Sequence, residues 1–171
     1  ALLSSYGISV AKSVETTAAL AAQVADGIGY PVVVKVLSDT IVHKSDVGGV
    51  HLNLQRADEV EAAVAQMAAL GERFLIEAMA PKPVAELLLG ITRDPLFGLV
   101  LVIGVGGLLV ELLKDSVTLL FPIDRHEVEA ALDALKIAPL LNGYRGAPPA
   151  DREAIVDAVI SVACFTEDHA D

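Results

Sequence analysis

Residues 32–54, VVVKVLSDTIVHKSDVGGVHLNL, gather side chains able to do chemistry. Four valines and a leucine flank Lys35. An ammonium group in such a run either turns to solvent or meets an anion, because an unpaired lysine in a dry site is costly. A polar loop follows, in which His43, Lys44, Ser45 and Asp46 supply a base, a cation, a hydroxyl and a carboxylate. A solvated turn is the usual home of that mixture, while a histidine on a loop beside a nucleotide can act as a nucleophile toward a phosphoryl group. Gly48 and Gly49 then offer backbone N–H groups that could face phosphate oxygens, although a lone glycine pair usually marks a turn.

Two further carboxylates stand in apolar runs: Glu77 in FLIEAM and Glu86 in AELLLG. On adjacent half-buried strands they could bind ribose hydroxyls, an amino group or a metal, or each could point to solvent. Glu111 in GGLLVELLKD is open in the same way. The GVGG turn at 104–107 lacks the G-x-G-x-x-G spacing, and no G-x-x-x-x-G-K-[ST] phosphate loop occurs. No G-x-S-x-G appears, and His43 and His51 form no H-E-x-x-H pair.

The elements that must position these groups follow from periodicity. Residues 8–12 read as a short strand and 16–26 as a helix with Leu20 and Val24 four apart, stopped by Gly27. In a strand over 32–37, Val33, Lys35 and Leu37 share one face and Val32, Val34 and Val36 the other. Val50, Leu52 and Leu54 share a face of the next strand, with His51 and Asn53 opposite. Helical spacing marks 57–70, and strands are expected over 73–79, 84–92 and 97–103. Asp124 with Glu127 resembles a capping box opening a helix to about Leu135. A loop holds Pro139, Gly143, Gly146, Pro148 and Pro149, and Asp151 caps a last helix toward Cys164. This order is not a doubly wound alternation; it predicts α+β lobes with mainly antiparallel sheets and a ligand cleft between them.

Composition narrows the function. The 171 residues carry a formal charge of −11 with no basic stripe, which argues against a nucleic-acid surface. The apolar run 99–113 is interrupted by glycines and Glu111 and is shorter than the roughly 20 residues of a membrane helix. A single cysteine, Cys164, excludes an internal disulfide and is expected to be a buried structural thiol in a cytoplasmic protein.

The segments YGISVAKS, GYPVVVKVLSDTIVHKSDVGGVHLNL, FLIEAM, AELLLGITRDPLFGLVLVIGVGG, VELLKD, FPI and APLLNGYRGAPPAD run in order along nearly the whole chain. Together they resemble the ATP-grasp domain of the ADP-forming acyl-CoA synthetases, relatives of the succinyl-CoA synthetase β subunit. The resemblance implies an α+β ATP-grasp fold, with lobes over 1–75 and 76–171 enclosing a nucleotide cleft. It implies that Lys35, Lys44, Ser45, Gly48 and Gly49 meet ATP phosphates. Glu77, Ala78 and Met79 would lie near adenine and ribose, with Glu86 on the nucleotide. His43 aligns with the histidine that relays a phosphoryl group between distant sites, so that a carboxylic acid becomes an acyl phosphate and then an acyl-CoA.

ATP/ADP and Mg²⁺ are the implied cofactors. The Mg²⁺ ligands are expected beyond Asp171, in a segment resembling ELDxNPL, so the 171 residues alone are expected to be inactive. The implied partners are a CoA-binding domain or subunit, CoA and a carboxylic acid, in an oligomer without nucleic acid or membrane. A noncatalytic ATP-grasp-like module, for instance fused to a protein acetyltransferase, is the alternative from another class. A carboxylate–amine ligase shares the lobes, but the His43 loop and GYRGAPPAD favour the CoA ligase.

Overall fold

The computed structural model of the chain describes residues 2–41, 43–107 and 110–170, with their side chains except that of Glu111. Val42, within the loop expected over phosphates, and the Glu111 side chain lie outside the described residues. Two compact units divide the chain: Ala11–Pro81, and Lys82–Asp171 together with Ala1–Val10.

The first unit runs β1 (Ser13–Thr17), α1 (Ala21–Ile28), β2 (Val32–Leu37), β3 (Val50–Leu54), α2 (Ala57–Gln66) and β4 (Arg73–Ala78). Its sheet has the order β1-β4-β2-β3, antiparallel at every pairing. β-Branched residues explain β1 and β2, since their stiff side chains pack well on a pleated surface. Val32, Val34 and Val36 of β2 join Phe74 and Ile76 of β4 in a buried cluster with Ala21, Val60, Val64 and Met67. Both helices therefore cover one face, and the odd-numbered residues of β2 occupy the other, as the alternation predicts.

Several boundaries differ from expectation. The first strand begins at Ser13 rather than at residue 8, because β1 pairs along β4 from Ser13 opposite Glu77 to Thr17 opposite Arg73. Helix α1 runs through Gly27 and stops at Gly29, whose φ of 96° no helix can continue. In β3 the register shifts: Lys35 pairs Val50 and Val34 pairs His51, yet Val32 pairs Leu54. Asn53, at φ 59°, lies in the bulge. Val50 therefore shares the Lys35 face while Leu54 packs into the helix-covered core, so the expected common face of Val50, Leu52 and Leu54 does not form.

The second unit runs β5 (Leu87–Asp94), β6 (Gly98–Val105), α3 (Val110–Leu113), β7 (Ser116–Leu120), α4 (Arg125–Ala134), α5 (Ala138–Leu141) and α6 (Arg152–Asp168). Its antiparallel sheet has the order β5-β6-β7. Leu101, Ile103 and Val105 pack with Val128, Leu132, Val156 and Val159 from α4 and α6. The expected capping box is present: Asp124 accepts from the Glu127 N–H, and Glu127 accepts from the Asp124 N–H.

β7 occupies a segment to which sequence periodicity assigned no element, and α5 occupies the start of the expected loop around Pro139. Cys164 is exposed, correcting the buried thiol. The buried stripe of α6 is Val156, Val159, Ala163 and Thr166, which leaves position 164 one residue off the core-facing side.

The expected division at 75/76 would cut β4 in the middle of its pairings with β1 and β2; the compact units part at Pro81 instead. The first ten residues group with the second unit. Tyr6 packs edge-on against Phe165, with centroids 5.4 Å apart, and donates to Asp168 at 2.7 Å. No helix among the described residues is long and apolar enough to cross a membrane.

Candidate functional site

The face of the first sheet opposite its helices carries an ordered set of charges. Val33 pairs Glu77, Lys35 pairs Leu75 and Leu37 pairs Arg73 along β2 and β4. On the other side of β4, Ser13 pairs Glu77 and Glu15 pairs Leu75. Residues directly opposite in a sheet point to the same side, and long side chains reach their diagonal neighbours. Lys35 accordingly donates to Glu77 Oε2 at 3.0 Å, with side chains 35% and 24% exposed. Glu15 and Arg73 form a second diagonal pair at 3.0 Å. The lysine thus faces neither plain solvent nor an empty core. It is held half-buried by one carboxylate, with donor capacity left for another anion.

β2 leads into the loop that carries His43, and β3 leaves it. Within this loop the Asp46 N–H donates to His43 O at 3.2 Å, Gly48 N–H to Ser45 O at 3.3 Å and Gly49 N–H to Lys44 O at 2.7 Å. Gly49 O in turn accepts from the Val36 N–H at 2.9 Å, tying the turn to β2. The glycine pair therefore shapes the turn; in this conformation neither glycine offers its amide to a ligand, contrary to expectation. A Cβ at Gly49 would lie 2.8 Å from Val36 Cγ1 and 2.9 Å from Lys44 O, so only glycine fits. His43 and Ser45 are exposed and Lys44 is half-buried.

Ala78 and Met79 follow Glu77. Their amides are also engaged: Ala78 N–H donates to Lys12 O at 2.9 Å and Met79 N–H to Pro31 O at 3.0 Å. Glu86 does not share a sheet with Glu77, although the two were expected on adjacent strands. It precedes β5 in the second unit, and its carbonyl accepts from the Gly106 N–H at 2.7 Å. Its carboxylate lies over Gly107, where a Cβ would stand 1.9 Å from Oε2. A cavity of about 260 Å³ opens beside it, walled by Val84, Val105, Ile137 and Leu140. Among the described residues no group of three or more His, Cys, Asp or Glu side chains is placed to hold a metal ion.

Comparison with known proteins decides the family. The model of the ATP-grasp domain family matches residues 1–171. The ADP-forming acetate–CoA ligase II subunit beta of Pyrococcus furiosus is 35% identical over 176 residues, covering 98% of this chain and 75% of its own length. The chain is an ATP-grasp domain of the ADP-forming acyl-CoA synthetase family. The ADP-forming acetate–CoA ligase I of Archaeoglobus fulgidus is 38% identical across 98% of the chain, but the chain spans only 26% of that ligase. A solved dinucleotide-forming acetyl-coenzyme A synthetase 1 of Ca. Korarchaeum cryptofilum superposes with a TM-score of 0.84 at 39% identity, covering 95% of this chain and 73% of its own. That structure holds coenzyme A and Mg-AMPPCP, with a phosphohistidine segment pointing towards its nucleotide binding site.

Within this ATP-grasp domain, the fold brings Lys35 and Glu77 into contact and places the His43 turn at the end of the same strand. It sets Glu86 in the other unit. Sequence reading missed Glu15 and Arg73 beside the lysine. Their odd positions in β1 and β4 match the parity of Glu77, a signal that becomes useful only once the strand register is known.

Proposed function

We propose that this chain is the nucleotide-binding portion of an ADP-forming acid–CoA ligase, and that ATP phosphates lie against Lys35 on the open face of the first sheet. What supports this reading is one observation: the half-buried Lys35–Glu77 pair sits on the strand that launches the exposed His43 turn. Glu77 restrains the ammonium group, and an incoming phosphate takes up its remaining donors. Lys44, whose carbonyl accepts the closing hydrogen bond of the turn from the Gly49 N–H, adds a second positive charge beside the histidine. Glu86, fixed at the start of β5, contributes a carboxylate for nucleotide hydroxyls or amine.

In the proposed cycle an imidazole nitrogen of His43 attacks the terminal phosphorus of ATP. An N–P bond forms, the bond to the bridging oxygen breaks, and ADP leaves. The phosphoryl group passes to the carboxylate of an organic acid, restoring the imidazole, and the thiol of CoA displaces inorganic phosphate from the acyl phosphate. Positioning and charge neutralisation supply the catalysis, since phosphoryl transfer asks little covalent chemistry of the protein beyond the histidine. Among the described residues no group of three or more His, Cys, Asp or Glu side chains could hold Mg²⁺ by itself; when bound, the ion would neutralise phosphate charge. A CoA-binding domain or subunit, in the same or another chain, is the proposed partner.

The test is the product balance of the intact enzyme containing this chain. Acid- and CoA-dependent release of ADP and phosphate, with an acid-labile phosphohistidine that His43→Ala removes, is the expected result. AMP and pyrophosphate as products, or undiminished acyl-CoA synthesis by His43→Ala, would sink the proposal.

A further inference from the structure

We infer that the turn at Tyr144–Ala147, in the second unit, is an anion site built to present Arg145 to a phosphate group. The loop that carries it, residues 142–149, is closed at its base by the Ala150 N–H donating to Leu141 O at 2.9 Å. Arg152 Nη1 donates to Asn142 Oδ1 at 3.1 Å and anchors its start. Pro148 and Pro149 stiffen its return, each with a fixed φ. At the tip, Ala147 N–H donates to Tyr144 O at 3.0 Å. The two central residues, Arg145 and Gly146, have φ of 50° and 85°, the left-handed pair that a type I′ turn requires.

Arginine is a poor choice for that position. The first central residue of such a turn favours asparagine, aspartate or glycine, and a long side chain there is strained. Strain of this kind persists where the surroundings over-determine it, and it clusters at functional sites. A second observation is independent of backbone shape. Of the six arginines in a chain with 23 acidic residues, Arg56, Arg73, Arg125 and Arg152 each pair with a carboxylate, and Arg93 donates to Ala170 O. Among the described residues, Arg145 has no carboxylate partner. Its guanidinium instead lies over the Tyr144 ring, 5.2 Å from the centroid. That contact is a cation–π interaction with the ring and engages no hydrogen-bond acceptor, so the guanidinium keeps its N–H donors for an anion.

The ligand class follows from those facts. A planar fork reads oxyanions bidentately. An exposed carboxylate is a weak partner for a single arginine in water, and among the described residues no carboxylate pairs with Arg145. A phosphate carries more charge and more acceptor oxygens, so it is the ligand that such an exposed fork can hold. The turn also springs from α5, whose Leu140 walls the cavity beside Glu86. The phosphate has two sources in the proposed reaction, free inorganic phosphate and a phosphate of CoA.

The experiment titrates the full chain calorimetrically at constant ionic strength with inorganic phosphate, with CoA and with acetate. A Lys35→Met background removes the open face of β2 from the signal, so the result stands or falls apart from the nucleotide reading. Saturable binding of phosphate or CoA, but not acetate, is expected, and Arg145→Gln weakens it about tenfold or more. Preference for CoA over phosphate identifies CoA as the source; the reverse identifies free phosphate. Arg145→Asn supplies the Asn-Gly pair that the turn prefers, so it loses the anion yet melts at a higher temperature. Absence of saturable binding, equal affinity in Arg145→Gln, or a lower melting temperature in Arg145→Asn overturns the site.

Discussion

The two sheets of this molecule differ most on the faces their helices leave uncovered. In the first unit that face carries Lys35, Glu77, Arg73 and Glu15 in two diagonal ion pairs around Leu75. In the second unit the corresponding rows are Leu88, Gly104 and Ser116, then Gly90, Val102 and Thr118, then Thr92, Val100 and Leu120. None of these nine residues is charged. The last row of that face pairs Asp94 with Gly98, and the Asp94 carboxylate is taken up by the Leu96 and Phe97 N–H groups of its own hairpin. One surface carries paired ions of both signs across its middle, and the other carries apolar side chains and hydroxyls there. The second unit brings Glu86 from the residue before a strand.

The sharpest way to break that comparison is Lys35→Met. It keeps the length and apolar stem of the side chain and removes the ammonium group. If phosphates lie against the charged face, affinity for ATP should fall by roughly 10- to 150-fold, the worth of a hydrogen bond to a charged group at about 1.5–3 kcal/mol. Calorimetric titration of wild type and variant measures it, and equal affinities would move the phosphates away from β2. Adenosine, which lacks phosphate, should be affected far less than ATP.

Next in size is Gly49→Ala. The added methyl meets Val36 Cγ1 and the Lys44 carbonyl inside a turn already closed by hydrogen bonds. Overpacking of this kind costs about 1–3 kcal/mol. A denaturant midpoint shifted by less than the error of the measurement would show that the turn yields easily and does not fix the approach of His43. Gly107→Ala tests the second unit in the same way, with a different division of cost. Its φ of 64° imposes about 1–2 kcal/mol on any residue with a Cβ. The clash itself falls on the mobile end of Glu86, which can swing away. Gly107→Ala should therefore lose modest stability and displace the Glu86 carboxylate, a change that the crystal structure of the variant would show directly.

How much of this was legible in the sequence depends on whether the information was local. β2 was readable because four valines leave little alternative to a buried strand, and the lone Lys35 marked its open face. The capping box at Asp124 was readable because both partners lie within four residues. The Lys35–Glu77 contact was not, since the two are separated by 42 positions and meet only through the antiparallel register of β2 and β4. The bulge at Asn53 was hidden because asparagine tolerates a positive φ without requiring one, and it moved Leu54 to the opposite face. The glycine pair was recognised as a turn, yet its hydrogen bonds run inward, which only coordinates disclose. The assignment of Glu86 to a strand beside Glu77 failed because a new sheet begins after Pro81.

The smallest expected effect has the opposite sign. Gly90 lies in an uncharged row of the second sheet, its φ is not positive, and a Cβ added there meets nothing among the described residues within 4 Å. A glycine inside a strand costs backbone entropy and packs no side chain. Gly90→Val should accordingly stabilise the unit by about 0.5–1 kcal/mol, the range spanned by strand preferences. A raised midpoint with unchanged ATP affinity would mean that the glycine keeps no space for the nucleotide. A raised midpoint with weakened affinity would mean that the nucleotide uses the open space above Gly90. A lowered midpoint would contradict the open geometry itself, because among the described residues nothing stands within 4 Å of the added Cβ.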